Sequence, residues 1–191
     1  MQQITNIYFI LYVKLQNHVQ IEELPVKHAV TLDDKPNHLQ CCRRDFAFDS
    51  RQIPEIVLKE QVPELYRNMW FVTQTVLNPI FNAIWQRDCK DPTTIQIANY
   101  NLVDKKQGAW HHDDSAEISV VVPLNTGSYE GGGTEFHNHG VLNPLPSGHA
   151  LIFPSFTNLH RGLPVQGGDR YLLVFWLCNK ERSVDLYESI P

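Results

Sequence analysis

The run Trp110-His111-His112-Asp113-Asp114, followed much later by His160 and then by Arg170, contains the residues of this chain best suited to metal chemistry. A His-x-Asp pair in an extended segment sets an imidazole and a carboxylate on one face, because side chains two apart point the same way. A distant histidine on another strand completes a set of two imidazoles and one carboxylate, the facial arrangement that suits non-heme iron(II). Such a set leaves coordination positions open for a chelating cosubstrate and for oxygen. Arg170 adds a permanently charged, two-pronged partner for the far carboxylate of a 2-oxo acid. The residues read as an oxygenase site. Both His111 with Asp113 and His112 with Asp114 meet the spacing, and geometry alone leaves the choice between them open.

The elements that must position these residues are legible in outline. From Glu60 to Asp88 the apolar positions Val62, Leu65, Met69, Val72, Val76, Ile80, Ile84 and Trp85 recur at helical steps, which predicts one long helix or two. Pro79 removes a backbone bond inside that pattern, so a kink or break is expected near Asn78. Beyond Pro92 the pattern changes to short β-type runs: Ile95 to Tyr100, Ile118 to Leu124, Thr134 to Phe136, Ala150 to Phe153 and Tyr171 to Leu177. Three consecutive glycines, Gly131 to Gly133, free the turn between two of them from side-chain limits. Many short, closely spaced strands argue for a sandwich or jelly roll, with the helices packed on the outer face of one sheet. Residues 14 to 56 show no clear period and read as short strands and loops. The apolar run Ile7 to Val13 is too short to span a bilayer and reads as a buried strand.

Composition removes several function classes. At 191 residues the chain is long enough for one good core but short for two, so a single domain over 1–191 is expected, with 1–92 as helical or irregular support and 93–178 as the jelly-roll core. The net charge of −5 and the absence of any basic cluster longer than Arg43-Arg44 or Lys105-Lys106 argue against nucleic acid as a partner. No membrane span is read, and a cytoplasmic location is expected. Cys41, Cys42, Cys89 and Cys178 show no zinc spacing and read as reduced packing residues.

A family resemblance rests on His112-x-Asp114, Leu124-Asn125, Tyr129 to Phe136, Pro146-x-Gly148, His160 to Val165 and Arg170-Tyr171. In this order they resemble the iron(II)- and 2-oxoglutarate-dependent dioxygenase superfamily, in particular the catalytic domains of prolyl 4-hydroxylases and procollagen lysyl hydroxylases. The resemblance covers roughly residues 93 to 178. It implies a mainly β fold with supporting helices, a double-stranded β-helix (jelly roll) with N-terminal helices packed on one sheet. It also implies iron(II), 2-oxoglutarate and O2 as cofactor and cosubstrates, and it allows ascorbate as an auxiliary reductant. In the family the Leu-Asn closing the strand follows the ligand aspartate by the interval that separates Asp114 from Leu124, which selects His112 and Asp114, with His160, as metal ligands. Arg170 follows His160 at the offset of the arginine that binds the 5-carboxylate of 2-oxoglutarate, and Tyr100 resembles the tyrosine that hydrogen-bonds the same carboxylate.

The resemblance implies hydroxylation of an unactivated carbon, on a lysyl or prolyl side chain in a peptide or on a free amino acid. Halogenases of the superfamily lack the ligand carboxylate that is present here, and the nucleic-acid demethylase branch carries a second arginine where this chain has Trp176. His137-x-His139 has the spacing of a cupin ligand pair, so a cupin-like metal-binding protein or isomerase that does not use 2-oxoglutarate is the alternative. A scaffold that retains the fold without catalysis is the third reading.

Overall fold

The computed structural model of the chain describes residues 9–11, 53, 55–104 and 107–179. Its larger sheet has six strands in the order β1 (Phe9–Leu11), β8 (Ala150–Phe153), β4 (Ile118–Pro123), β11 (Arg170–Cys178), β3 (Asp91–Tyr100) and β2 (Glu55–Val57), with antiparallel pairing throughout. The central strands are β-branched and aromatic and buried on both faces, so they read as nearly continuous apolar runs. Alternate residues separate into two cores, as the period of two requires. Ile95, Ile97, Val120, Ile152, Leu173 and Phe175 form an outer cluster with the helical residues Leu58, Met69, Leu77 and Phe81. Each fully buried Leu, Ile or Phe there contributes about 1.5–3 kcal/mol. Ala98, Tyr100, Leu172 and Val174 face the other way, into the roll.

The helical layer runs through α1 (Leu58–Gln61), α2 (Pro63–Val72), a π-helical segment (Thr73–Leu77) and α3 (Asn78–Trp85). The kink or break expected near Asn78 takes the form of a π-helical turn rather than a break, since Val72, Thr73, Leu77 and Asn78 all keep right-handed helical angles. Pro79 falls in the first turn of α3, where its missing N–H is needed least, and the π segment lies immediately before it. Gln86, with φ of 53°, ends the helix in the left-handed region. Of the expected strands, β6 (Thr134–Phe136) and β8 match residue for residue, whereas β3 begins four residues earlier, at Asp91.

The smaller sheets close the roll. β6 pairs with β7 (Gly140–Leu142) and with β9 (His160–Gly162), and β5 (Glu130–Gly131) pairs with β10 (Val165–Gly167). A single antiparallel bridge joins His111 to His160 and brings the segment before β4 alongside β9. From β4 onward the chain passes back and forth between the sheets, with β8 and β11 returning to the large sheet after β5 to β7 and after β9 and β10, which is jelly-roll connectivity. Residues Phe9–Leu11 form the strand expected over Ile7 to Val13. Most of residues 14–56, and Cys41 and Cys42, lie outside the described residues. Cys89 and Cys178 are buried and free.

Candidate active site

The bridge between His111 and His160 decides the register of the ligand segment. The His111 N–H donates to the His160 carbonyl at 2.9 Å and the His160 N–H donates back at 3.0 Å, a directly opposed pair whose side chains share a face. Phe136 stands opposite His160 on its other side, so the face that carries both histidines looks into the roll. Asp113, two residues on from His111, joins them. His111, Asp113 and His160 place one ligand atom each within 4.8 Å of one another. His112 and Asp114, selected from the sequence interval, are exposed and lie outside this group. That expectation is corrected by strand parity, since neighbours of an inward residue point outward. An interval counted from Leu124 passes through the turn at Asp114-Ser115, where parity is lost.

The donor set is prepared for a cation. Ring Nδ1 of His111 lies 2.8 Å from the Ala109 carbonyl, and Nδ1 of His160 lies 2.9 Å from the Asn158 carbonyl. Each Nδ1–H donates to a backbone oxygen, which leaves each Nε2 as a lone-pair donor facing the centre. Nε2 of His111 is 3.4 Å from Oδ1 of Asp113, and Nε2 of His160 is 3.7 Å from Oδ2. The Ser119 hydroxyl donates to Oδ2 of Asp113 at 2.5 Å and fixes the carboxylate from β4. Burial opposes the charge on Asp113, yet His111, His160 and Ser119 hold it below the usual carboxylate range. Burial and then the neighbouring His111 push His160 down, toward the neutral form that ligates metal. Burial pulls His111 down too, but the hydrogen bond and charge of Asp113 outweigh it and the net shift is upward. The His111 side chain is 44% exposed, against 5% for Asp113 and 8% for His160, so the centre opens on the His111 side.

Arg170 opens β11 opposite Tyr100 and is 2% exposed. Its Nε and Nη1 are buried and meet no acceptor among the described residues. A buried guanidinium with unsatisfied donors is costly unless an anion completes it. The cavity beside it, about 230 Å³ of empty space including part open to solvent, is lined by Val121, Thr134, Leu142, Leu151 and Arg170 among others. The Arg170 guanidinium lies over the Tyr100 ring at 5.4 Å. Gly132, with φ of 75°, makes the room: a β-carbon there would come within 3.1 Å of the Arg170 side chain. A β-carbon on Gly162 would likewise meet the Tyr100 hydroxyl at 3.1 Å. The orphaned guanidinium atoms and the paired Nε2 donors fit a carboxylate-bearing cosubstrate and an iron(II) ion.

The remaining sequence candidates fall around this centre. Trp176 pairs with Ser119 and Thr94, so it shares the inner face with the residue that holds Asp113. His137 is exposed and stands edge-on to Trp110 at 5.8 Å; neither it nor His139 joins the metal group. Sequence reading missed Ser119, whose polar side chain in the apolar run Ile118 to Pro123 was the available signal.

No protein-family model matches the chain. Over 70 residues it is 34% identical to a multifunctional procollagen lysine hydroxylase and glycosyltransferase of Caenorhabditis elegans, a match covering 35% of this chain and 10% of that protein. Over 75 residues it is 36% identical to the human multifunctional procollagen lysine hydroxylase and glycosyltransferase LH3, covering 37% and 10%. The matched region is thus about a tenth of the length of these curated relatives. Among solved structures, a Trichoplax adhaerens prolyl hydroxylase in complex with a hypoxia inducible factor peptide fragment superposes with a TM-score of 0.53 at 17% identity, over 70% of this chain and 66% of that one. A Pseudomonas putida prolyl-4-hydroxylase gives 0.51 at 19% identity, over 71% and 77%. An oxidoreductase of the 2OG-Fe(II) oxygenase family from Burkholderia pseudomallei gives 0.51 at 19%, over 62% and 59%.

Proposed function

We propose that this chain, which carries the fold of the 2-oxoglutarate and iron(II) oxygenases, is itself such an enzyme and hydroxylates an unactivated carbon of a lysyl or prolyl side chain or of a free amino acid. The observation that carries the reading is the presence in one roll of two features: a cluster of two imidazoles and one carboxylate whose ligand atoms lie within 4.8 Å of one another, and a buried guanidinium with two unsatisfied donors. His111, Asp113 and His160 would hold the iron, and Arg170 with Tyr100 would hold the 5-carboxylate of 2-oxoglutarate. Bound iron(II) and 2-oxoglutarate supply the activation of dioxygen that an unactivated C–H bond requires. The chain supplies the rest. Ser119 keeps Asp113 oriented, Asn158 and Ala109 fix the imidazole tautomers, and Phe136 and Phe153 pack beside His160 to exclude water.

The curated relatives are named for lysine hydroxylation and the solved neighbours for prolyl hydroxylation, which supports an amino-acid side chain as the substrate class. Anaerobic reconstitution with iron(II) and 2-oxoglutarate, then admission of oxygen with lysine- or proline-containing peptides or free amino acids, tests the reading through succinate release. Succinate formation that depends on iron and is abolished in Arg170→Ala is the expected result. Metal binding with no affinity for 2-oxoglutarate would favour the cupin-like alternative.

A further inference from the structure

The inner face of the large sheet carries a second charged group that the chemistry above does not use. β2 is the edge strand, and its register sets Glu55 opposite Ala98. Ala98 and Tyr100 belong to the inner cluster, and Ile53, two residues before Glu55, packs on that same cluster. Ile56, on the opposite parity, packs on the outer cluster under the helices. Glu55 is therefore directed into the roll. The carboxylate is half-buried near the side-chain amide of Gln96, which is only 4% exposed and favours the charged form, and no described cation pairs with it. Tyr100, two residues on from Ala98 along β3, shares that face with Glu55 and stands opposite Arg170, so the register sets Glu55 on the same side of the sheet as the anion end of the site.

A carboxylate accepts about four hydrogen bonds, and a single neutral amide leaves most of that capacity unused. Burial raises the Glu55 pKa, as expected for a carboxylate without a counter-charge. A cation entering the chamber would relieve this, and a primary ammonium is compact and offers three donors. A prolyl ring within a peptide offers neither charge nor donor. Resting on the oxygenase reading, we propose that Glu55, on the inner face of the edge strand, recognises a protonated amine on the substrate, which makes the target a lysine-type side chain rather than a prolyl ring.

The test uses the full chain loaded with iron(II) and 2-oxoglutarate, anaerobically, titrated with a lysine-containing peptide, with free lysine, and with the same peptide carrying norleucine or proline in place of lysine. The intact protein is expected to prefer a lysine probe over the norleucine peptide by about tenfold or more, the ratio that 1.4 kcal/mol represents. Glu55→Gln should lose that preference while iron content and 2-oxoglutarate affinity stay unchanged, and Glu55→Asp, which keeps the charge, should restore part of it. A purely structural role would instead lower 2-oxoglutarate affinity and melting temperature together. Unchanged lysine affinity in Glu55→Gln, tighter binding of the proline peptide, or no binding of either lysine probe to the intact protein would overturn the assignment. Failure of the intact protein to bind 2-oxoglutarate would refute the oxygenase reading, and this assignment with it.

Discussion

Single residues decide what the centre can bind, and adjacent residues of the same type are not equivalent. His111 and His112 differ in nothing but parity, yet one faces His160 across a pair of backbone hydrogen bonds and the other faces solvent. Replacing His111, Asp113 or His160 by Ala is expected to reduce bound iron at least about tenfold, since losing a ligand or its orienting partner costs metal affinity on that scale or above. His112→Ala and Asp114→Ala should retain near-stoichiometric iron. Metal analysis after gel filtration distinguishes the two, and the reverse pattern would restore the register read from the sequence. Gly132 decides the anion side. Gly132→Ala combines a left-handed backbone with a β-carbon 3.1 Å from Arg170, so the KM for 2-oxoglutarate should rise about tenfold while iron content holds.

Elements fix these residues by ties that span strands. The segment carrying His111 and Asp113 joins the small sheet through one bridge and through the bond from Gly108 N–H to the Gly162 carbonyl, a thin attachment for two metal ligands. A brace on the outer face strengthens it. Arg161, next to His160, reaches Glu135 on β6 with Nη2 at 2.6 Å and Nε at 2.7 Å, and its guanidinium lies 4.6 Å from the centre of the Trp110 ring. The strands β6 and β9 and the segment that carries His111 and Asp113 are thus linked from behind. Arg161→Ala should weaken iron binding by about three- to tenfold, the ratio expected when roughly 0.7–1.4 kcal/mol of cation–π and ion-pair contact is lost. Titration of the metal-free protein with iron(II) or a redox-inert surrogate measures it, and an unchanged affinity would show that the brace is dispensable. None of this was legible in the sequence, because Arg161, Glu135 and Trp110 meet only through pairing between distant segments.

At the scale of the whole molecule, the helical layer covers one face of the large sheet and leaves the other to the cavity. Ligands that bind only the folded roll stabilise it by mass action. Iron(II) and 2-oxoglutarate together should raise the melting temperature by several degrees, and His111→Ala should abolish the shift. The helix-to-sheet core also predicts the behaviour of Cys89, which is fully buried beneath α2 and α3 and whose thiol burial pushes up to about 12. Its peptide should stay unalkylated at pH 8 in the folded protein and react on unfolding, as read by mass spectrometry. The sign follows from the shift: folding favours the neutral thiol, so its stabilising contribution is complete below the thiol's unfolded pKa and is lost as pH rises toward about 12.

The sequence by itself pointed to the proposed class of chemistry and determined the strand-rich second half. Periodicity and glycine turns are local properties, and the residue types His, Asp and Arg restrict the metal and the cosubstrate before any coordinates exist. Helical spacing with Pro79 likewise located the irregularity before α3, which is a π-helical turn in a continuous helix. The tertiary structure alone decided which histidine and which aspartate face the centre, because parity is fixed by the pairing of His111 with His160 across 49 residues. It alone turned Glu55 inward, since that follows from the register of an edge strand against β3.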